Sequence, residues 1–181
     1  MSNMVVSSHS VRHCRDNPCV RSDAGPLISR EFLSAYISGY ADGEGCFSIS
    51  ISPRATLAVG WEVRPSFSVS QNGDRAEVLH ALLAYFGCGS IRPDRSDRTL
   101  KWETRRLDDL VGRVIPHFMR YPLLSAKQRD FERFALVCRL MADGEHRSRE
   151  GLQKIVAIVR EMNPGGRRRY DADELLVMLQ R

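Results

Sequence analysis

The stretch Ile37-Ser38-Gly39-Tyr40-Ala41-Asp42-Gly43-Glu44-Gly45-Cys46-Phe47-Ser48-Ile49-Ser50-Ile51-Ser52 changes its period halfway along. Up to Glu44 the apolar residues recur at helical spacing. Phe32, Leu33, Tyr36, Ile37 and Tyr40 form one stripe that predicts a helix capped by Ser29 or Ser34 and ended by Gly43 and Gly45. From Phe47 the residues alternate strictly, as in a strand with one buried face, until Pro53 starts a turn. The helix has a second row, Ala35, Ser38, Gly39 and Asp42, whose small side chains let another helix come close. Gly39 costs a helix interior about 1 kcal/mol relative to Ala, so close packing explains it better than chance.

Working outward, Glu62 to Ser70 alternates again, with Pro65 predicting an irregular or edge position. The shorter segments Gly89 to Arg92 and Thr99 to Glu103 turn Ile91, Leu100 and Trp102 to the same side. Helical recurrence is seen over Ala76 to Phe86, Leu107 to His117, Ala126 to Met141 and Gly151 to Met162. The order αββαββα, followed by helices, predicts an α+β fold: a four-stranded antiparallel sheet covered by helices on one face. The domain is expected over 30–166. Residues 1–29 lack periodicity and read as a flexible arm, and 167–181 as a helical tail.

The outward positions are Ser48, Ser50, Ser52 and Arg54; Glu62, Arg64, Ser66, Ser68 and Ser70; Ser90 and Arg92; Thr99, Lys101 and Glu103. Alternation alone describes a solvated sheet face. Serines beside arginines, however, supply two-way hydroxyls and forked donors, the groups used on base edges and phosphates in a major groove. Arg95, Arg98 and Lys101, with Arg92, add charge that can follow a phosphate backbone.

The 181 residues, 43% hydrophobic and 27% charged, lie in the range of one globular domain. No apolar run approaches the roughly 20 residues needed to cross a bilayer, and Met1 to Ser29 has no apolar core of a secretion signal. A non-secreted protein without a membrane partner is therefore expected, in the cytoplasm of a bacterium or the interior of an organelle. Five cysteines at irregular spacings exclude a disulfide framework, and His9, His13, Cys14 and Cys19 match no standard zinc spacing. The net charge is +5, and only 3 of the 27 basic residues are Lys. Such a balance permits a polyanionic partner without requiring one.

Ile37 to Gly45, followed by Cys46 and Phe47, resembles the signature of the LAGLIDADG homing endonucleases, with Gly39, Asp42, Glu44 and Gly45 at the fixed or acidic letters. The resemblance continues through Gln71 at the end of the second strand, Arg75, Phe86 to Ile91, Leu123 to Gln128, and Met162 to Arg168. It implies a site-specific double-strand DNA endonuclease, intron-encoded and dependent on a divalent cation. Glu44 is the expected metal ligand and catalytic residue, helped by the Gly43 carbonyl, because hard oxygen donors hold Mg2+. Mn2+ is an alternative cation, and Ca2+ is expected to support binding without cleavage. By the same resemblance, Gln71 would orient the attacking water, Lys127 would stabilise the transition-state charge and Arg75 would support the solvent network. One Glu44 per chain is too little for two strand cuts. A homodimer meeting through Ala35, Ser38, Gly39 and Asp42 is expected instead, with a formal charge of +10 (twice +5), on a long pseudo-palindromic duplex. The competing readings are a non-cleaving DNA-binding protein and an RNA-splicing maturase, whose partner would be intron RNA.

Overall fold

A computed structural model describes residues 28–94, 99–163 and Leu175. Contacts divide the chain into Met1–Leu33 and Ser34–Arg181. Of the expected DNA contacts, Arg95 and Arg98 lie outside the described residues, as do nearly all of the expected arm and tail.

Helix α1 (Arg30–Glu44) leads into strands β1 (Gly45–Pro53) and β2 (Trp61–Asn72), then helix α2 (Glu77–Phe86) and strands β3 (Ser90–Pro93) and β4 (Thr99–Thr104). A short α3 (Leu107–Asp109), a π-turn over Leu110–Val114 and α4 (Ile115–Arg120) replace the single helix expected there. Pro116 sits at the start of α4, where its lack of an N–H breaks the regular ladder, and the wider π-turn accommodates the break. Helices α5 (Lys127–Ala142) and α6 (Arg149–Arg160) follow. Among the described residues no helix is long and apolar enough to cross a membrane.

The four strands form one antiparallel sheet in the order β1-β2-β4-β3. Pro65 lies in a central strand after all. The half of β2 that holds it pairs only with β1, because pairing with β4 begins at Phe67, so locally it is still an edge. The inward residues Phe47, Phe67 and Trp102 meet Phe86, Phe118, Phe131 and Phe134 in one aromatic core. Phe47 stacks on Phe67 at 4.6 Å and Phe86 on Trp102 at 5.3 Å. A one-residue slip would turn this set to the opposite face, so the core fixes the register that aims every outward side chain.

Gly45 makes the helix-to-strand junction. A Cβ there would lie 2.6 Å from the Ala41 carbonyl oxygen, so only glycine lets β1 leave so close to the end of α1. At the far end of the domain Asn163, with φ of 45°, donates its backbone N–H to Asp130 and its side-chain amide to the Phe47 carbonyl, fastening the end of α6 to β1.

Helix α1 is rotated relative to the expected phase. Its buried residues are Ser34, Ile37, Ser38 and Ala41, whereas Phe32 is 63% and Tyr36 48% exposed. The buried hydroxyls are satisfied at a distance in sequence. Ser34 pairs with the Tyr85 hydroxyl at 2.7 Å, Tyr85 with His117 Nδ1 at 2.9 Å, and Ser38 with His117 Nε2 at 3.1 Å and the Tyr121 carbonyl at 2.7 Å. A polar row can therefore be buried without a desolvation penalty, and the aromatic row is left outside.

Candidate nucleic-acid interface and catalytic centre

The end of α1 breaks a rule of helix electrostatics. Its last turn holds Asp42 and Glu44 and no basic residue, although the carbonyl end of a helix carries partial negative charge and disfavours carboxylates by about 0.3–1 kcal/mol each. Each carboxylate is handled differently. Asp42 accepts the backbone N–H groups of Leu124 and Ser125, at 3.0 and 2.9 Å, and the Ser125 hydroxyl. Burial works to raise its pKa, but those hydrogen bonds outweigh it and hold the carboxyl below its ordinary value. Glu44 is exposed and makes no hydrogen bond or ion pair among the described residues.

Lys127, at the start of α5, supplies the missing cation. Its ammonium donates to the Ala41 and Gly43 carbonyls, both at 3.1 Å, and so caps the helix one residue before Glu44. Gln71 ends the inner row of β2. It donates its amide to the Tyr40 hydroxyl, one helical turn before Glu44, and accepts from the Asn72 backbone at 2.7 Å. Glu44, Lys127, Gly43 and Gln71 are thus gathered around one helix terminus. Tyr40 belongs with them, though its sequence position reads only as part of an apolar stripe. Arg75 is exposed in the 3-10 turn that follows β2.

Two residues expected at the partner contact are engaged within their own chain. Ser38 is 5% exposed and spends its hydroxyl on His117 and Tyr121, and Asp42 turns to its own 124–125 loop. Ala35 and Gly39 are exposed, in a row that includes Tyr36 and Gly43. Among the described residues nothing lies within 4 Å of a Cβ built on Gly39 or Gly43, so they give no packing reason for either glycine.

The outward sheet face carries Ser48, Ser50, Ser52, Ser66 and Ser70 at half-buried or exposed positions. Ser68 is the exception at 8% exposure, flanked by Cys46 and Glu103 across the register, so little of it is available to a partner. The arginines are organised by two glutamates. Arg54 and Arg64 both pair with Glu62, and the hydrogen bond from Arg64 leads in holding that carboxyl below its usual range. Arg92 and Arg105 both pair with Glu103, and Lys101 lies 3.4 Å from Asp94. Arg105 escaped sequence reasoning because it follows the last strand.

Among the described residues, no three His, Cys, Asp or Glu side chains converge as a cation site. One chain brings one free carboxylate, Glu44, and one carbonyl, Gly43. These are hard donors of the kind Mg2+ takes but too few to hold it.

The sequence profile of the LAGLIDADG endonucleases matches residues 37–138, from the middle of α1 into α5. The chain belongs to that family. Two solved homing endonucleases superpose over most of it. The homing endonuclease I-TnaI does so with a TM-score of 0.71 at 34% identity, covering 81% of this chain and 95% of that one. The archaeal intron-encoded homing endonuclease I-Vdi141I, solved with DNA, gives a TM-score of 0.77 at 27% identity, covering 84% and 97%. Among curated relatives, the probable intron-encoded endonuclease 3 of Neurospora crassa is 33% identical over 71% of this chain but only 24% of its own length. The chain thus spans about a quarter of the curated relatives that it matches first.

Proposed function

We propose that two copies of this chain form a site-specific double-strand DNA endonuclease whose catalytic centre is the paired ends of α1. The observation that carries this reading is Glu44, an exposed carboxylate at the helix end where it is least favoured, beside a lysine that neutralises its surroundings without pairing with it. Pairing along Ala35, Tyr36, Gly39 and Gly43 would bring two Glu44 side chains together and would supply the packing partner that the glycines lack within one chain. Their mutual repulsion would be relieved by shared or paired divalent cations, Mg2+ by donor type. Such a cation supplies a nucleophilic water and charge neutralisation at the scissile phosphate.

The chain's own groups provide the rest. Glu44 holds negative charge at the cleavage point, with the Gly43 carbonyl beside it. The Lys127 ammonium, already fixed at the helix end, stands where charge develops on the phosphate. Gln71, with its amide held by Tyr40, offers a hydrogen bond that orients water. The serines and arginines of the outward face read the duplex through its major groove.

The test incubates purified protein with a randomised duplex library in Mg2+ or in Ca2+. Cutting of one recovered sequence in Mg2+ and its binding without cutting in Ca2+ are expected. Selective binding with no cutting in Mg2+ would instead favour the maturase or non-cleaving reading. Glu44→Gln is expected to retain the recovered duplex and lose cleavage, and cutting at the wild-type rate would remove Glu44 from the centre.

A further inference from the structure

The two glutamates on the sheet face are not equivalent. Glu62 holds two arginines at the hairpin end of β1 and β2, whereas Glu103 lines an open pocket of about 580 Å3 where β3 begins and β4 ends. Four arginines line that pocket, Arg92, Arg105, Arg106 and Arg113, against two carboxylates, Glu103 and Asp109. The carboxylate side chains are only 10% and 18% exposed, and the four arginines are between 51% and 80% exposed. The less exposed acidic groups thus pair with guanidinium nitrogens, and the excess positive charge faces solvent.

The pocket is built into the fold. Arg113 donates to the Phe86 and Gly87 carbonyls at 2.9 and 2.8 Å, closing the turn between α2 and β3. Gly87 and Gly89 both have positive φ. A Cβ on Gly87 would lie 2.8 Å from the Arg113 guanidinium, and one on Gly89 would lie 2.8 Å from the Glu103 carbonyl. The turn therefore lies directly against the arginine cluster, and side chains there would push it aside.

Its place on the sheet identifies the ligand. Cys46, Ser68, Glu103 and Ser90 are aligned across all four strands, in a row that starts two residues after Glu44 and ends at the pocket. Three strand spacings make this row about 14 Å long. A B-DNA major groove is about 12 Å wide. A sheet of that width spans the groove from wall to wall, so its β3 edge comes against one phosphate backbone, and there the arginine excess meets an anion.

We infer that this pocket clamps a single DNA backbone phosphate at the wall of the major groove, with Arg105 and Arg106 as its principal donors. The inference rests on the DNA-cleaving reading above. Such a contact sets the position of the sheet in the groove and carries no sequence information.

The full-length double variant Arg105→Gln/Arg106→Gln tests it, using the duplex recovered from the library in Ca2+. The plot of log affinity against log salt should become shallower by about 0.9 for each phosphate that is no longer neutralised, with the recovered sequence unchanged. Ethylation interference should lose one phosphate per half-site and keep the others. Arg105→Lys/Arg106→Lys, which retains the charge, should restore the slope. An unchanged slope, a changed target sequence, or a wild-type footprint without that phosphate overturns the clamp and leaves the endonuclease reading intact. A wild-type protein that holds no duplex overturns both.

Discussion

Replacing Gly39 with leucine should move two measurements in opposite directions. Position 39 is exposed, and among the described residues a Cβ there meets nothing within 4 Å, so leucine adds helix propensity without a clash. The gain is about 0.8 kcal/mol, which raises the melting temperature of a domain of this size by roughly 2–4 °C. In the proposed dimer the same side chain would enter a helix contact that the glycine keeps close. Overpacking costs about 1–3 kcal/mol at each site, and two-fold symmetry doubles it, so association should weaken by at least 2 kcal/mol, or about 30-fold. Thermal melts at a concentration where the wild type is monomeric, together with sedimentation over a concentration series, read the two effects separately. A leucine variant that associates like the wild type would refute this face as the dimer contact. A variant that loses stability as a monomer would show that Gly39 is packed within its own chain.

Lys127→Met should lower the cleavage rate by about 10²–10³ through loss of a positioned charge, with duplex affinity in Ca2+ little changed; single-turnover cleavage measures it, and a wild-type rate would leave the lysine as a helix cap alone. Burial lowers the pKa of His117 from 6.5 to about 4. The unfolded chain therefore binds a proton between those values that the folded chain refuses, so stability is full above about pH 6.5 and falls as pH drops towards 4, by as much as about 3 kcal/mol. Urea titrations across that window should show the slope in wild type and not in His117→Asn, and a slope shared by both would assign it elsewhere. Gly45→Ala places a methyl group 2.6 Å from the Ala41 carbonyl oxygen, so it should destabilise the domain by about 1–3 kcal/mol, and a neutral result in chemical denaturation would mean that the junction is looser than described.

The strands were legible because their signal is local: Phe47 to Ser52 and Glu62 to Ser70 alternate, and the observed register keeps that alternation on both faces. Helix α1 was legible as a helix but not in its rotation. Apolar spacing assigns Tyr36 and Tyr40 to the core, yet Ser34 and Ser38 occupy it because Tyr85, His117 and Tyr121 satisfy their hydroxyls from 51 to 83 residues away. No window along the sequence contains those partners. The same distance hid the hydrogen bonds of Lys127 to Ala41 and Gly43, 86 and 84 residues apart, so only resemblance could single out this lysine. The pocket beyond β3 was equally invisible, since its arginines come from a strand, a loop and a helical turn that read as separate surface charges.

The separation of the two sheet faces bears on how such a protein acquires new targets. Phe47, Phe67 and Trp102 hold the strands in place from beneath, whereas Ser48, Ser50, Ser66 and Ser70 lie half-buried or exposed on the opposite face. Substitutions at Ser48, Ser50, Ser66 or Ser70 should therefore change stability by about 0.5 kcal/mol or less, too little to bring a marginal domain to unfolding. The outward face can drift through many side-chain combinations while helix, register and catalytic terminus stay fixed. On the proposed function, each copying error there would be a trial of a new DNA sequence that leaves the fold intact.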